Sequence, residues 1–168
     1  MTWVLILFAA LCRALPHPFN VTPIGAIGLF AGAKLPGRIA WAVPLVALLA
    51  GDLFLGFYDS VVMAGVYLGM ALSAVIGRAL LRKERSLARF AGAVGGASLT
   101  FFLVSNFGVW LASGHGGYPH TWAGLIECYA MGIPFLWRTL LGDGLYTCVL
   151  FGLDTLVAWS RARAGERP

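Results

Sequence analysis

The stretch that decides the fold is Val61–Leu81, VVMAGVYLGMALSAVIGRALL. It carries one charge, Arg78, and no proline. A spanning helix needs roughly 20 apolar residues, and this run is long enough to cross a bilayer core alone. Small residues recur along it at four-residue spacing, Gly65, Gly69, Ser73 and Gly77, which puts them on one face of a helix. Immediately after it come Arg82, Lys83, Arg85 and Arg89.

The rest of the chain has the same character. Apolar residues make up 60% of the 168 and charged residues 11%, with a mean hydropathy of +0.83. Soluble domains run near 45–50% apolar and about 25% charged. There is too little charge here to clothe a water-facing surface, so lipid is the solvent for most of the chain. A soluble enzyme, a nucleic-acid binder and a disordered tail protein are excluded. The net charge of +5 does not indicate an anionic partner, because the cations cluster beside apolar runs, where they set membrane orientation. Three cysteines in no paired spacing give no disulfide framework.

Breaks between apolar runs predict six spans, at 2–15, 21–33, 39–56, 61–81, 88–112 and 140–160. Thr2–Leu11 has no preceding positive charge and no small-residue cleavage site, so it reads as a retained first helix. The stretch 121–136 is apolar but holds Glu127 and Pro134, and reads as an interfacial half helix. The expected fold is therefore all-α: six transmembrane helices plus one half helix. They form a single domain over 1–160, with a basic cytoplasmic tail over 161–168. With both termini inside, Lys34, Arg38, Arg78, the 82–89 cluster and Arg161, Arg163 and Arg167 are all cytoplasmic. Arg13 and Arg138 alone lie outside. That asymmetry satisfies the positive-inside rule and predicts a multi-pass membrane protein with both termini cytoplasmic.

The same topology gathers the remaining polar groups on the outer side. Arg13, His17, Asn20, Asp52, Asp59, Asn106, His115, Tyr118, His120, Glu127, Arg138 and Asp143 all fall there. Ionisable groups at membrane depth are expensive and face a cavity or a partner. Asp52 and Asp143 fit that description best, with Arg13 and Arg138 as their counterions. Trp110 and Tyr146 lead a set of nearby aromatics that includes Phe57, Tyr58, Phe107, Trp122 and Trp137. An apolar pocket fixed by a few polar groups is the usual make-up of a small-molecule site. The bland reading of the same residues is ion pairs that lock helix ends, amid an interfacial aromatic belt.

Sharper chemistry finds less support. His17, His115 and His120 with Cys12 or Cys128 show neither HxxxH nor CxxC spacing, so no metal is expected. A Cys–His hydrolytic pair lacks anything that specifies an oxyanion site, and no enzyme activity or cofactor is expected. A proton relay through Asp52 and Asp143 is a third reading of those two residues. The small-residue faces, including Gly28 with Gly32 and Ala88, Gly92, Gly96 and Thr100, serve helix packing or the docking of a membrane partner.

Several stretches together resemble a family of small bacterial membrane proteins. They are Arg13–Ile27 (RALPHPFNVTPIGAI), Pro44–Phe57, Ser105–Trp110 (SNFGVW) and Thr139–Thr147 (TLLGDGLYT). That family is similar to the substrate-binding S components of energy-coupling-factor vitamin transporters. The resemblance implies a six-helix protein that captures a vitamin-like micronutrient outside the membrane. It also implies a bacterial inner-membrane location, with a transmembrane coupling protein and ATPase subunits as partners. Ala10 and Ala14 have the small-residue spacing that S components use for docking, but lie at the outer end in this topology.

The expected function is therefore membrane solute binding and uptake. Arg13, Asn20, Asp52, Asn106, Trp110, Arg138, Asp143 and Tyr146 are the expected substrate-binding residues. The arginines hold anionic groups or orient the aspartates, the asparagines hydrogen-bond the solute, and the aromatics stack on its ring. Two rivals fit the same residues: an oligomeric channel or proton-coupled carrier, and an accessory structural subunit of a larger membrane complex.

Overall fold

Prolines, glycines and short polar caps divide the chain into helices. The computed structural model describes residues 4, 21–84, 86–113 and 117–163. Helix α1 spans Ile24–Lys34 behind Pro23, and α2 spans Gly37–Leu55 behind Pro36. Gly56, at φ +92, ends α2 in a conformation that favours glycine. Helix α3, Ser60–Leu81, starts where the Asp59 carboxylate accepts from the N–H groups of Val61 and Val62 at 2.9 and 3.0 Å. Ser86 caps α4, Leu87–Ala112, through the N–H of Arg89 at 3.2 Å. Helix α5 runs unbroken over Trp122–Arg163. No strand occurs among the described residues.

Four of these helices, α2 to α5, are long and apolar enough to cross a membrane. The protein is an all-α membrane protein, and its described part departs from the expected six spans plus half helix in two places. The first is the expected span over 21–33. Helix α1 has 11 residues, about 16 Å of rise, and cannot cross a core about 30 Å thick. Every residue of it except Lys34 is buried, because it is apolar all round and packs against α2, α3, α4 and α5 together. The second departure joins the expected half helix at 121–136 to the expected span at 140–160. Pro134 removes one backbone donor, yet the helix continues through it. Its first turns are held on α4 by Tyr129, whose hydroxyl donates to the Leu103 carbonyl at 2.9 Å. The helix also continues past 160, so Arg161 and Arg163 belong to its last turn, and Arg163 lies over the Trp159 ring. The expected span over 2–15 and the tail over 164–168 lie outside the described residues.

Contacts between the helices fix their directions. Gly28 faces Ser73 and Gly32 faces Ala74 and Arg78, so α1 and α3 run parallel. Gly65 meets Gly108 and Gly69 meets Phe101, so α4 is antiparallel to α3. Down α5, Gly132 meets Asn106, Asp143 meets Ser98 and Phe151 meets Phe90, which makes α5 antiparallel to α4. Lys34, Arg38, Arg78, Arg82, Lys83, Arg89, Arg161 and Arg163 consequently stand at one end of the bundle. At that end Lys34, the last residue of α1, forms an ion pair with Asp154 of α5.

The small residues are spent inside the fold. A side chain at Gly32 or Gly77 would run into the backbone of the facing helix, at Ala74 and Leu29 respectively. Close backbone approach of this kind supplies the packing that lipid cannot drive. Among the described residues, Gly92 has nothing within 4 Å, and Gly96 only Ile76 at that distance.

Candidate functional site

Because α1 is short, it fills only the basic half of the bundle. Its first turn stops beside Asp143, whose carboxylate accepts from the backbone N–H of Ala26 and, at 2.8 Å, from the hydroxyl of Ser98. Pro23 offers no capping side chain, so Asp143 on α5 does that work for α1. A negative group is favourable at the positive end of a helix dipole. Gly25 is bare where this carboxylate sits, since a side chain there would collide with it.

Beyond this level, toward the end away from the basic cluster, α3, α4 and α5 line an open cleft of about 430 Å³. Helix α3 contributes Val66, and α4 contributes Phe101, Ser105, Asn106 and Val109. Cys128, Met131, Gly132 and Phe135 line it from α5, and Tyr118 from the turn between α4 and α5. Two hydrogen bonds hold that turn in place. The Trp110 indole N–H donates to the Pro119 carbonyl at 3.0 Å, and His120 Nε2 lies 3.0 Å from the Trp110 carbonyl. Gly132 lets α5 approach closely here, because a Cβ on it would lie 2.6 Å from Asn106 Oδ1 and 2.8 Å from Phe102.

The hydrogen-bonding state of the wall is specific. Ser105 donates its hydroxyl proton to the Phe101 carbonyl at 2.7 Å. Asn106 Nδ2 donates to the Phe102 carbonyl at 2.8 Å, and the Cys128 thiol to the Asn106 carbonyl at 3.4 Å. These are side-chain bonds back onto α4, most of them to the carbonyl one turn earlier.

Of the eight residues expected to bind substrate, Asn106 lines the cleft. Trp110 braces the turn that carries Tyr118. Asp143 is committed to α1 and α4. Asp52 is fully buried on α2, where the Tyr67 hydroxyl donates to it at 2.8 Å. Tyr146 is half-buried against the core, and Arg138 is exposed on α5. Arg13 and Asn20 lie outside the described residues, as do His17, His115 and Cys12. No cluster of three metal-binding side chains occurs among the described residues. Met131 and Phe135 carry no charge and stand in an apolar run, so nothing in the sequence distinguishes them from lipid-facing neighbours; Ser105 stands out only as the start of SNFGVW and Cys128 only as a weighed metal ligand.

The model of the family of unknown function DUF6580 matches residues 1–164, nearly the whole chain. The chain belongs to that family. The match takes in both the α1 cap and the cleft, so the two features lie within the unit that defines DUF6580. No curated protein and no solved structure matches the chain.

Proposed function

We propose that this member of DUF6580 is a membrane solute-binding and uptake protein, with its site in the cleft among α3, α4 and α5. The observation that carries the reading is the cleft itself. It has the volume of a small-molecule site, about 300–1,000 Å³, mixes aromatic and aliphatic walls with a few polar groups, and lies in the half of the bundle away from the basic end. By the positive-inside rule the basic end is cytoplasmic and the cleft extracytoplasmic. The resemblance to S components then makes the solute a vitamin-like micronutrient and a coupling protein with ATPase subunits the driving partner. Extraction of the purified protein followed by mass spectrometry tests the reading: a small molecule should be recovered in near-stoichiometric amount. Uphill solute flux in liposomes holding this chain alone would favour a carrier instead.

A second reading, the accessory subunit, draws on Asp143. Its carboxylate accepts from both Ser98 and Ala26, as expected of a structural lock. The two readings part at the cleft, which a subunit without a ligand would leave empty.

A further inference from the structure

The cleft lies at bilayer depth, and its upper end differs from its flank. Arg89, in the first turn of α4, marks the basic interface. Along α4, Phe101 stands about 18 Å and Val109 about 30 Å from that residue. A hydrocarbon core is about 30 Å thick, so the cleft occupies its outer part, and Trp110 and Trp122 stand where interfacial aromatics gather. At the upper end Tyr118 lines the cleft from the turn between α4 and α5. The Trp110–Pro119 and His120–Trp110 hydrogen bonds pin that turn onto α4. The Trp110 and His120 rings also meet edge to face, 5.2 Å between centroids.

The flank is open. Met131 and Phe135, one turn apart on α5, line the cleft and are still 62% and 44% exposed. At this level α5 packs on α4 through Gly132 and Tyr129, but it makes no contact with α3. Lower down α1 lies between α3 and α5, but it begins beside Asp143, below the cleft. Among the described residues, no helix other than α4 touches both α3 and α5 at the level of the cleft.

We infer that the cleft is entered sideways from the outer leaflet, between α3 and α5, and that its solute is a membrane-partitioning molecule, apolar over most of its surface with one hydrogen-bonding group. This rests on the cleft being the binding site. Val66, Phe101, Val109 and Phe135 receive the apolar body. Beyond the bonds they return to α4, Ser105 keeps its lone pairs and Asn106 a second amide N–H, so a hydroxyl or an amide meets a partner there. A solute of this kind reaches the mouth from lipid without displacing the pinned turn. A strongly polar solute would have to shed its hydration inside the hydrocarbon layer, at a cost set by its polar groups. Among vitamin-like micronutrients the inference selects the lipid-soluble ones.

Electron paramagnetic resonance of the full chain in liposomes tests the route. The chain's own cysteines are changed to alanine, and a nitroxide is attached through Met131→Cys or, where that variant does not fold, Phe135→Cys. Collisions with oxygen, which concentrates in lipid, are compared with collisions with a water-soluble nickel chelate. Leu103→Cys, exposed on α4, and Glu84→Cys, exposed at the basic end, give the lipid and water references. The oxygen-to-nickel ratio at the cleft should match that at Leu103 and exceed that at Glu84 several-fold. A ratio near that of Glu84 means a mouth open to water, which overturns the inference and leaves the binding reading intact. A nitroxide that neither probe reaches means a closed cleft, which overturns both. Independently of any substitution, the solute extracted from the unmodified chain should partition into bilayers, and one that stays in water overturns the inference alone.

Discussion

Asp143 on α5 and Ser98 on α4 meet at 2.8 Å, and the same carboxylate takes the backbone N–H of Ala26 in the first turn of α1. One buried group therefore ties three helices together at the point where α1 begins. That point separates the bundle into a packed basic half and a half that holds the cleft.

Replacing this carboxylate should cost stability in a set order. Asp143→Asn keeps an oxygen for Ala26 and should lose about 1 kcal/mol, the worth of an ordinary hydrogen bond. Asp143→Leu strands both donors and should lose about 3 kcal/mol, at the upper end of the penalty for unsatisfied buried groups. Thermal unfolding of the detergent-solubilised protein measures both, and equal losses would refute the capping role.

Gly25→Ala should destabilise by about 1–3 kcal/mol, the usual cost of overpacking, since its methyl would occupy the space of the Asp143 carboxylate. Combining it with Asp143→Ala should recover part of that loss. Strict additivity in unfolding measurements would show that the two positions do not meet.

The small-residue faces should behave in opposite ways. Gly77→Ala and Gly32→Ala press a methyl into the backbone of the facing helix and should prevent α1 from seating. Gly92→Ala has open space, and should be neutral or stabilise by up to about 1 kcal/mol through helix propensity. Expression level and unfolding temperature together distinguish the cases.

The buried Thr147 hydroxyl has no hydrogen-bond partner among the described residues. Thr147→Val should therefore be neutral or raise the unfolding temperature, because it removes an unsatisfied group at nearly constant shape. A loss above about 1 kcal/mol would mean that the hydroxyl is bonded in the folded protein.

Helix content and lipid surroundings were legible because they depend on composition and run length, which neighbouring residues do not alter. The basic end was legible for the same reason: Lys34, Arg82, Lys83 and Arg161 mark helix ends whatever the helices pack against. The role of α1 was not. An apolar stretch of the length of Ile24–Lys34 reads alike as a short span or a buried core helix, and only the packing of Gly28 and Gly32 on Ser73 and Ala74 decides. Pro134 misled in the other direction. A proline ends most helices in water, but here Tyr129 and Cys128 anchor the segment before it to α4. Charge draws attention to Asp143, which accepts from Ser98 and Ala26, and away from Ser105 in the cleft wall, whose neutral hydroxyl gives no signal until its partner is known.

Native mass spectrometry of the purified full chain, compared across three proteins, tests the central claim most directly. Wild type and Asp143→Asn should both carry the same co-purified small molecule, and Asn106→Leu should lose it while remaining folded. Retention by Asn106→Leu with loss from Asp143→Asn would contradict the account, and place the ligand at the end of α1 instead of in the cleft.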